Sequence, residues 1–272
     1  MAIEREYLGF INLDKWRIKD KQVINVFNSF SFMCRKQKFF FKELKNSSQF
    51  YNELIGYELA KDYGMEAIPY DVASYDGFVG YLSRDYMKDG YVYLEDILKK
   101  QYGDSDHRNN LDDASYALRE IYPEFAEQVI HDLIELLMFD IIIANYDRHD
   151  RNIIVDTANG RLAPVSDNEM MLSDDSMYGQ YYSFKMNSND HNTLDNLLHY
   201  LDLDGINYFL SKIEIINPKN IESVFSRVEA KIRYPMIEPI KKQIAKGFND
   251  NYRILINHVK KELESRKLLS KK

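Results

Sequence analysis

One stretch constrains this chain more than any other. Phe139-Asp140-Ile141-Ile142-Ile143-Ala144 closes a long apolar run, Asn145-Tyr146-Asp147-Arg148-His149-Asp150-Arg151-Asn152 breaks into polar residues, and Ile153-Ile154-Val155 resumes as a β-branched run. Apolar elements that pause to show an Asp, an Arg, a His and an Asn hold those side chains rigidly at the edge of the core, where clefts form. Upstream, Tyr122-Pro123-Glu124 opens a helix whose Ala126, Val129, Ile130, Leu133, Ile134, Leu136 and Leu137 cover more than one face, so the spacing predicts a buried helix delivering the cluster. Downstream, Asp156-Thr157-Ala158-Asn159-Gly160 carries the Asn-Gly hairpin signal and returns through Leu162-Ala163-Pro164-Val165 to Ser166-Asp167-Asn168. The hairpin is expected to bring Asp167 beside Asn152, so that Asp147, Asn152 and Asp167 converge at one end of a two-stranded ribbon. Asn and Asp oxygens suit Mg²⁺, which keeps waters and binds few protein ligands plus substrate phosphates. Asp147, left off the metal, can accept a proton from an attacking hydroxyl. Any one of these residues alone would more often cap a turn; their joint order is the order phosphoryl transfer needs.

The N-terminal part reads as strands. Val23 to Phe27, Phe30 to Cys34 and Lys38 to Lys42 are β-rich, with Arg35-Lys36-Gln37 as a hairpin turn, and they predict a small antiparallel sheet. Lys42 ends the most apolar strand. Asn46-Ser47-Ser48-Gln49 has the spacing of a capping box; Phe50, Leu54 and Tyr57 continue at helical spacing, and Gly64 is the expected C-cap. Glu53 falls in that stripe, and a carboxylate facing the core needs a cation. Lys42 is the nearest in sequence, Glu58 lying on another face. A lysine on a strand with a glutamate on the following helix is how phosphotransferases hold a lysine against nucleotide phosphates. Tyr70 to Ala73 and Phe78 to Ser83 predict two more strands about a Tyr75-Asp76-Gly77 turn, and Arg84 to Gly90 reads as a linker offering backbone groups to an adenine edge. The boundary is placed there, giving an N-terminal lobe of residues 1–88 and a helical C-terminal lobe of residues 89–272.

The last third predicts helical support: Leu194 to Leu201, Ile221 to Val228, and a long amphipathic helix through Phe248, Tyr252, Leu255, Val259 and Leu263. Lys99 to Asp113 reads as a surface loop with a solvated His107. Met170 to Asn192 is polar and Tyr-rich, with Tyr178, Tyr181 and Tyr182 available to a partner. A net charge of −7 speaks against a general nucleic-acid binder. From Lys241 onward, however, ten Lys or Arg stand against three Asp or Glu, which reads first as a solvated helix face and second as a patch for an acidic partner. One cysteine, Cys34, permits no internal disulfide and no Cys/His metal site. With no signal-like start and no apolar stretch of roughly 20 residues, a soluble cytoplasmic protein is expected.

At these residues the sequence resembles a family. Asn145-Tyr146-Asp147-Arg148-His149-Asp150-Arg151-Asn152 with Asp167 is similar to the N-x-D-R-H-x-x-N loop of HipA-like serine/threonine kinases, the compact CtkA-like branch included, and a related D-R-H-x-x-N occurs in phosphatidylinositol 3- and 4-kinases. Phe39-Phe40-Phe41-Lys42 resembles the strand bearing the nucleotide lysine, and Asn52-Glu53 with Leu59-Ala60 and Gly64 resembles the following helix. The resemblance implies a two-lobed α+β kinase fold and an ATP- and Mg²⁺-dependent transfer to a protein Ser/Thr hydroxyl. It implies Asp147 as catalytic base with His149 beside it, Asn152 and Asp167 as Mg²⁺ ligands, Lys42 and Glu53 at the phosphates, and Asp85 to Met87 against adenine. It further implies an antitoxin-like or host protein partner, with delivery into a host cell as an alternative location, and autophosphorylation, for which Ser29 and Ser31 are candidates. The chain departs from the pattern in showing no glycine-rich loop between Lys21 and Cys34, no D-F-G glycine after Asp167 and no A-P-E segment. A phosphoinositide kinase and a nucleotide-binding module without turnover are the alternatives.

Overall fold

The computed structural model describes residues 11–24, 29–43, 47–104, 109–168, 170–172, 184–187, 193–233 and 235–269. Asn46, His107, Tyr178, Tyr181, Tyr182 and the side chain of Gln49 lie outside them.

The N-terminal elements are β1 (Ile11–Asn12), a 3₁₀ turn (Leu13–Lys15), β2 (Lys19–Val23), β3 (Phe30–Cys34), β4 (Gln37–Glu43), α1 (Ser47–Tyr63), β5 (Asp71–Tyr75) and β6 (Phe78–Arg84). They form a six-stranded sheet in the order β1-β5-β6-β4-β3-β2, antiparallel except for the β1–β5 pair. Both predicted hairpins form. Arg35 and Lys36 take φ of 50° and 66°, Asp76 and Gly77 take 46° and 87°, and such left-handed pairs match the twist of the flanking strands. Tyr75 stays in the ladder opposite Phe78, so the second turn is Asp76-Gly77 alone. Strand alternation sends Phe39 and Phe41 to one side, where they close an aromatic cluster with Phe30, Phe32, Leu82 and Leu13. Lys42 and Phe40 therefore belong to the opposite face. Gly80 lets β6 pass close beside Lys42, because a Cβ there would meet the Lys42 carbonyl oxygen at 2.3 Å.

Helix α1 departs from the expected single stripe. Tyr51 to Ala60 are buried at every position but Tyr57, since the sheet covers one side and C-terminal helices the others. Gly64, at φ 97°, closes the helix by donating its N–H to the Ala60 carbonyl at 3.0 Å. Glu58, on another face as expected, is held by Arg227 at 2.7 Å.

The C-terminal elements are β7 (Tyr91–Tyr93), α2 (Leu94–Tyr102), α3 (Leu111–Ile121), α4 (Ala126–Ile143), β8 (Ile154–Asp156), β9 (Arg161–Leu162), α5 (Thr193–Tyr200), α6 (Leu203–Ile215), α7 (Ile221–Ile232) and α8 (Glu238–Leu269), with β7-β8-β9 as a small sheet. The stretch read as one surface loop, Lys99 to Asp113, begins and ends in helix. Leu94, Ile97 and Leu98 carry α2 on to Tyr102 by burying one face, and the Asn110 side chain caps α3 by accepting the Asp113 N–H at 2.9 Å. The polar stretch Met170 to Asn192 is likewise pinned in part: Met171, Phe184 and Met186 are buried, and Leu111 donates its N–H to the Lys185 carbonyl at 2.8 Å. On α8 several basic side chains tie the helix down rather than face solvent: Lys241 pairs with Glu222 at 3.1 Å and Arg266 donates to the Leu201 carbonyl at 2.6 Å. Asn251 of α8 donates to the carbonyls of Ile141 and Ile142 at 3.1 and 2.8 Å, satisfying the end of α4 where the polar cluster begins. No helix among the described residues is long and apolar enough to cross a membrane.

Candidate active site

The site begins where α4 stops. Ala144 takes a left-handed φ of 50° and turns the chain out of the helix. Asp140, one turn earlier and buried, is the anchor: Arg148 Nε and Nη2 donate to its two carboxylate oxygens at 2.9 and 3.0 Å, and Asn145 Nδ2 donates to Oδ1 at 3.1 Å. This two-pronged pairing is the geometry in which a buried guanidinium is best compensated. Arg148 also donates to the Asn168 side-chain oxygen at 2.7 Å and to the Ser166 carbonyl, so it ties the Asn145–Asn152 loop to the segment after the hairpin. Its acidic partner is thus Asp140. The loop is closed internally, with the Asn152 N–H donated to the His149 carbonyl at 2.8 Å and Asn152 Nδ2 to the Asp147 carbonyl at 3.4 Å.

The hairpin forms as its Asn-Gly signal predicts. Asp156 accepts the N–H groups of Ala158 and Asn159 at 3.1 Å each, and Gly160 turns at φ 64°. The return strand delivers Asp167, also in the left-handed region at φ 61°, which is unusual for a residue with a side chain. Lys42 Nζ lies 2.9 Å from Asp167 Oδ1 across the two parts of the molecule. Glu53 Oε1 accepts the Asp167 N–H at 3.1 Å and Oε2 the Asn168 N–H at 2.5 Å. A helix glutamate and a strand lysine therefore meet at the metal-ligand candidate, the glutamate gripping its backbone and the lysine its carboxylate.

Electrostatics separate the two aspartates. Burial pushes the Asp147 carboxyl above the ordinary value of 3.8, with nearby Asp167 adding to the rise and His149, Lys42 and Arg148 opposing it. Burial also acts to raise Asp167, but Lys42, Arg148 and His149 outweigh it and hold that carboxyl below the usual range. One acid is biased toward taking a proton and the other toward staying charged, the division expected of a base and a cation ligand. Burial lowers His149, and its Nδ1 is enclosed without a hydrogen-bond partner among the described residues. A raised pKa keeps the Asp147 proton to higher pH, so the base form is missing over more of the acid range. Initial rates of any reaction using it should rise with pH about a midpoint above 3.8; a pH–rate profile checks this.

For a divalent cation the donors present are the Asp167 carboxylate and the Asn152 amide. Among the described residues no group of three or more His, Cys, Asp or Glu could cage a metal. That set fits Mg²⁺, which completes its shell with water and phosphate oxygens. The crossing between the two parts is less open than expected. Asp85 donates its N–H to the Lys38 carbonyl at 2.8 Å, and its side chain accepts the Met87 N–H at 3.1 Å. A cavity of about 1300 Å³ reaches Ser83 to Tyr86 from the outer end of the sheet, but its walls do not include Lys42, Asp147 or Asp167. Residues that sequence reasoning passed over are Asp140, Asn168 and Tyr70. Tyr86 hydrogen-bonds Ser166 and is pushed up to about 12 by burial, and Tyr70 hydrogen-bonds the Asp167 backbone. Of these only Asp140 carries a signal, as a lone acid inside Phe139 to Ile143.

No family model and no curated protein matches the sequence. Solved structures do match. The crystal structure of the Helicobacter pylori proinflammatory kinase CtkA superposes with a TM-score of 0.70 at 15% identity, covering 94% of this chain and 99% of that one. The chain has the fold of the HipA-like kinases. Shewanella oneidensis HipA, solved with HipB and operator DNA, superposes with a TM-score of 0.54 at 14% identity over 97% of this chain and 72% of that one. The N-terminal sheet and helical C-terminal part match the two-lobed α+β fold expected from the sequence, and the Lys42–Asp167 contact joins the sheet to the C-terminal part.

Proposed function

We propose that the protein is an ATP- and Mg²⁺-dependent kinase acting on serine or threonine hydroxyls of a protein. The observation that carries this reading is the Lys42–Asp167 contact at 2.9 Å, with Asp147 and His149 in the same electrostatic neighbourhood. Asn152 and Asp167 would hold Mg²⁺, which supplies positive charge against the phosphate oxygens. Lys42 sets its ammonium against the nucleotide phosphates, and residues Asp85 to Met87 border the adenine. Asp147 takes the proton of the acceptor hydroxyl while its oxygen bonds to the γ-phosphorus; the bond from that phosphorus to the β–γ bridging oxygen breaks, and ADP leaves with the electron pair. His149 keeps the loop in register. Residues 1–88 and 89–272 are the two lobes in this reading, and an antitoxin-like or host protein is the expected class of partner.

Ser29 and Ser31 are both buried, Ser31 inside β3 opposite Phe40, so autophosphorylation at either would require the β2–β3 segment to open. Incubation with γ-labelled ATP, Mg²⁺ and a mixture of protein acceptors and phosphoinositide vesicles tests the reading. Acid-stable label on Ser or Thr, abolished by chelator, is expected. Label on lipid alone would replace the protein acceptor with a phosphoinositide, and binding of nucleotide without any transfer would leave a module without turnover.

A further inference from the structure

The segment Ser166–Asn168 is gripped from three sides, by Glu53, Arg148 and Gly56. Glu53, 2% exposed, accepts the backbone N–H groups of Asp167 and Asn168. Arg148, 1% exposed, donates to the Ser166 carbonyl and to the Asn168 side chain. Gly56 follows Glu53 by one turn of α1, and a Cβ built there would stand 2.5 Å from Asn168 Cβ and 3.0 Å from Asn168 Cγ. Glycine inside a helix is normally unfavourable. Here its absence of a side chain admits the Asn168 side chain against α1, and Asn168 Cβ, fixed to the main chain, cannot rotate out of the way. Between the gripped atoms Asp167 is left in a left-handed conformation that its neighbours must over-determine.

We propose that Glu53, Arg148 and Gly56 are positioning residues that preset the orientation of Asp167 toward its cation, Gly56 doing so by steric permission alone. The identity of the cation rests on the kinase reading above; the three-sided grip does not. Outer groups that orient a ligand typically change metal affinity by about 10–100-fold when altered, and Gly56 separates that effect from charge, because Gly56→Ala removes no hydrogen bond and adds a good helix former.

The test uses the full chain as wild type, Gly56→Ala, Glu53→Gln and Arg148→Lys, with Mn²⁺ as a paramagnetic probe titrated in the presence of a non-hydrolysable ATP analogue. Thermal melting of each variant and the analogue's affinity without metal are measured alongside. Mn²⁺ binding about tenfold weaker or more is expected in Gly56→Ala and Glu53→Gln, both melting cooperatively, with metal-free analogue affinity unchanged in Gly56→Ala. Arg148→Lys, which keeps the charge but loses the fork, should fall between them and wild type. If Gly56→Ala fails to melt cooperatively, Asn168→Ala, which removes only the Arg148 acceptor, carries the same expectation. Cooperatively folded variants that bind Mn²⁺ as tightly as wild type would overturn the proposal. A wild-type protein that binds neither Mn²⁺ nor the analogue would instead sink the kinase reading, whatever the variants do.

Discussion

Asp147→Asn should lower the turnover of phosphoryl transfer by about 10²–10⁴-fold while leaving the KM for ATP nearly unchanged. The substitution keeps the side chain's shape and removes only its ability to take a proton. Lys42 and Asp167 hold each other at 2.9 Å, a contact that the substitution leaves in place. Burial already disfavours the Asp147 charge, so the amide should not reduce stability, and the melting temperature should be equal to or above wild type. Steady-state kinetics beside a melting curve check both halves. A loss of turnover that tracks a loss of folding would assign Asp147 a structural role.

Arg148→Ala should be the most destabilising single change near the site, at about 3–5 kcal/mol. Arg148 is almost fully buried and meets the Asp140 carboxylate through two nitrogens. Its removal leaves Asp140 buried with Asn145 as its remaining partner from this network, and it unfastens Ser166 and Asn168 as well. Against a domain stability of about 5–15 kcal/mol this is a third or more of the total. Urea titration followed by circular dichroism reads it directly. An effect below about 1 kcal/mol, the size seen for exposed pairs, would mean that Asp140 finds water or another cation. Arg148 thus fastens the loop, joining the end of α4 to the segment after the hairpin.

Much of this was legible because polar residues inside apolar runs are costly and must be compensated. The cluster from Asn145 to Asn152 interrupts such a run, Asn159-Gly160 turns the hairpin, and Asp76-Gly77 turns the sheet, each for a local reason that sequence displays. Glu53 was legible as a buried acid in need of a partner. What it grips at Asp167 and Asn168 was not, because backbone N–H groups leave no mark on a sequence. Asp140 and Asn168 were hidden for a related reason, since their meeting through Arg148 depends on where α4 ends and the hairpin returns. Helix α3 was missed because its polar surroundings outweighed the i, i+3, i+7 spacing of Leu111, Ala114 and Leu118. Phe184 and Met186 were lost in a polar stretch whose few apolar residues turn out to be its anchors.

The central claim is that Asp147 handles the proton and Asp167 the metal in one phosphoryl-transfer site. The most direct measurement is incubation of wild type, Asp147→Ala and Asp167→Ala with γ-labelled ATP and Mg²⁺, followed by quantification of transferred phosphate. The account predicts transfer by wild type and little or none by either variant, each shown to be folded by circular dichroism. Equal transfer by all three would contradict it.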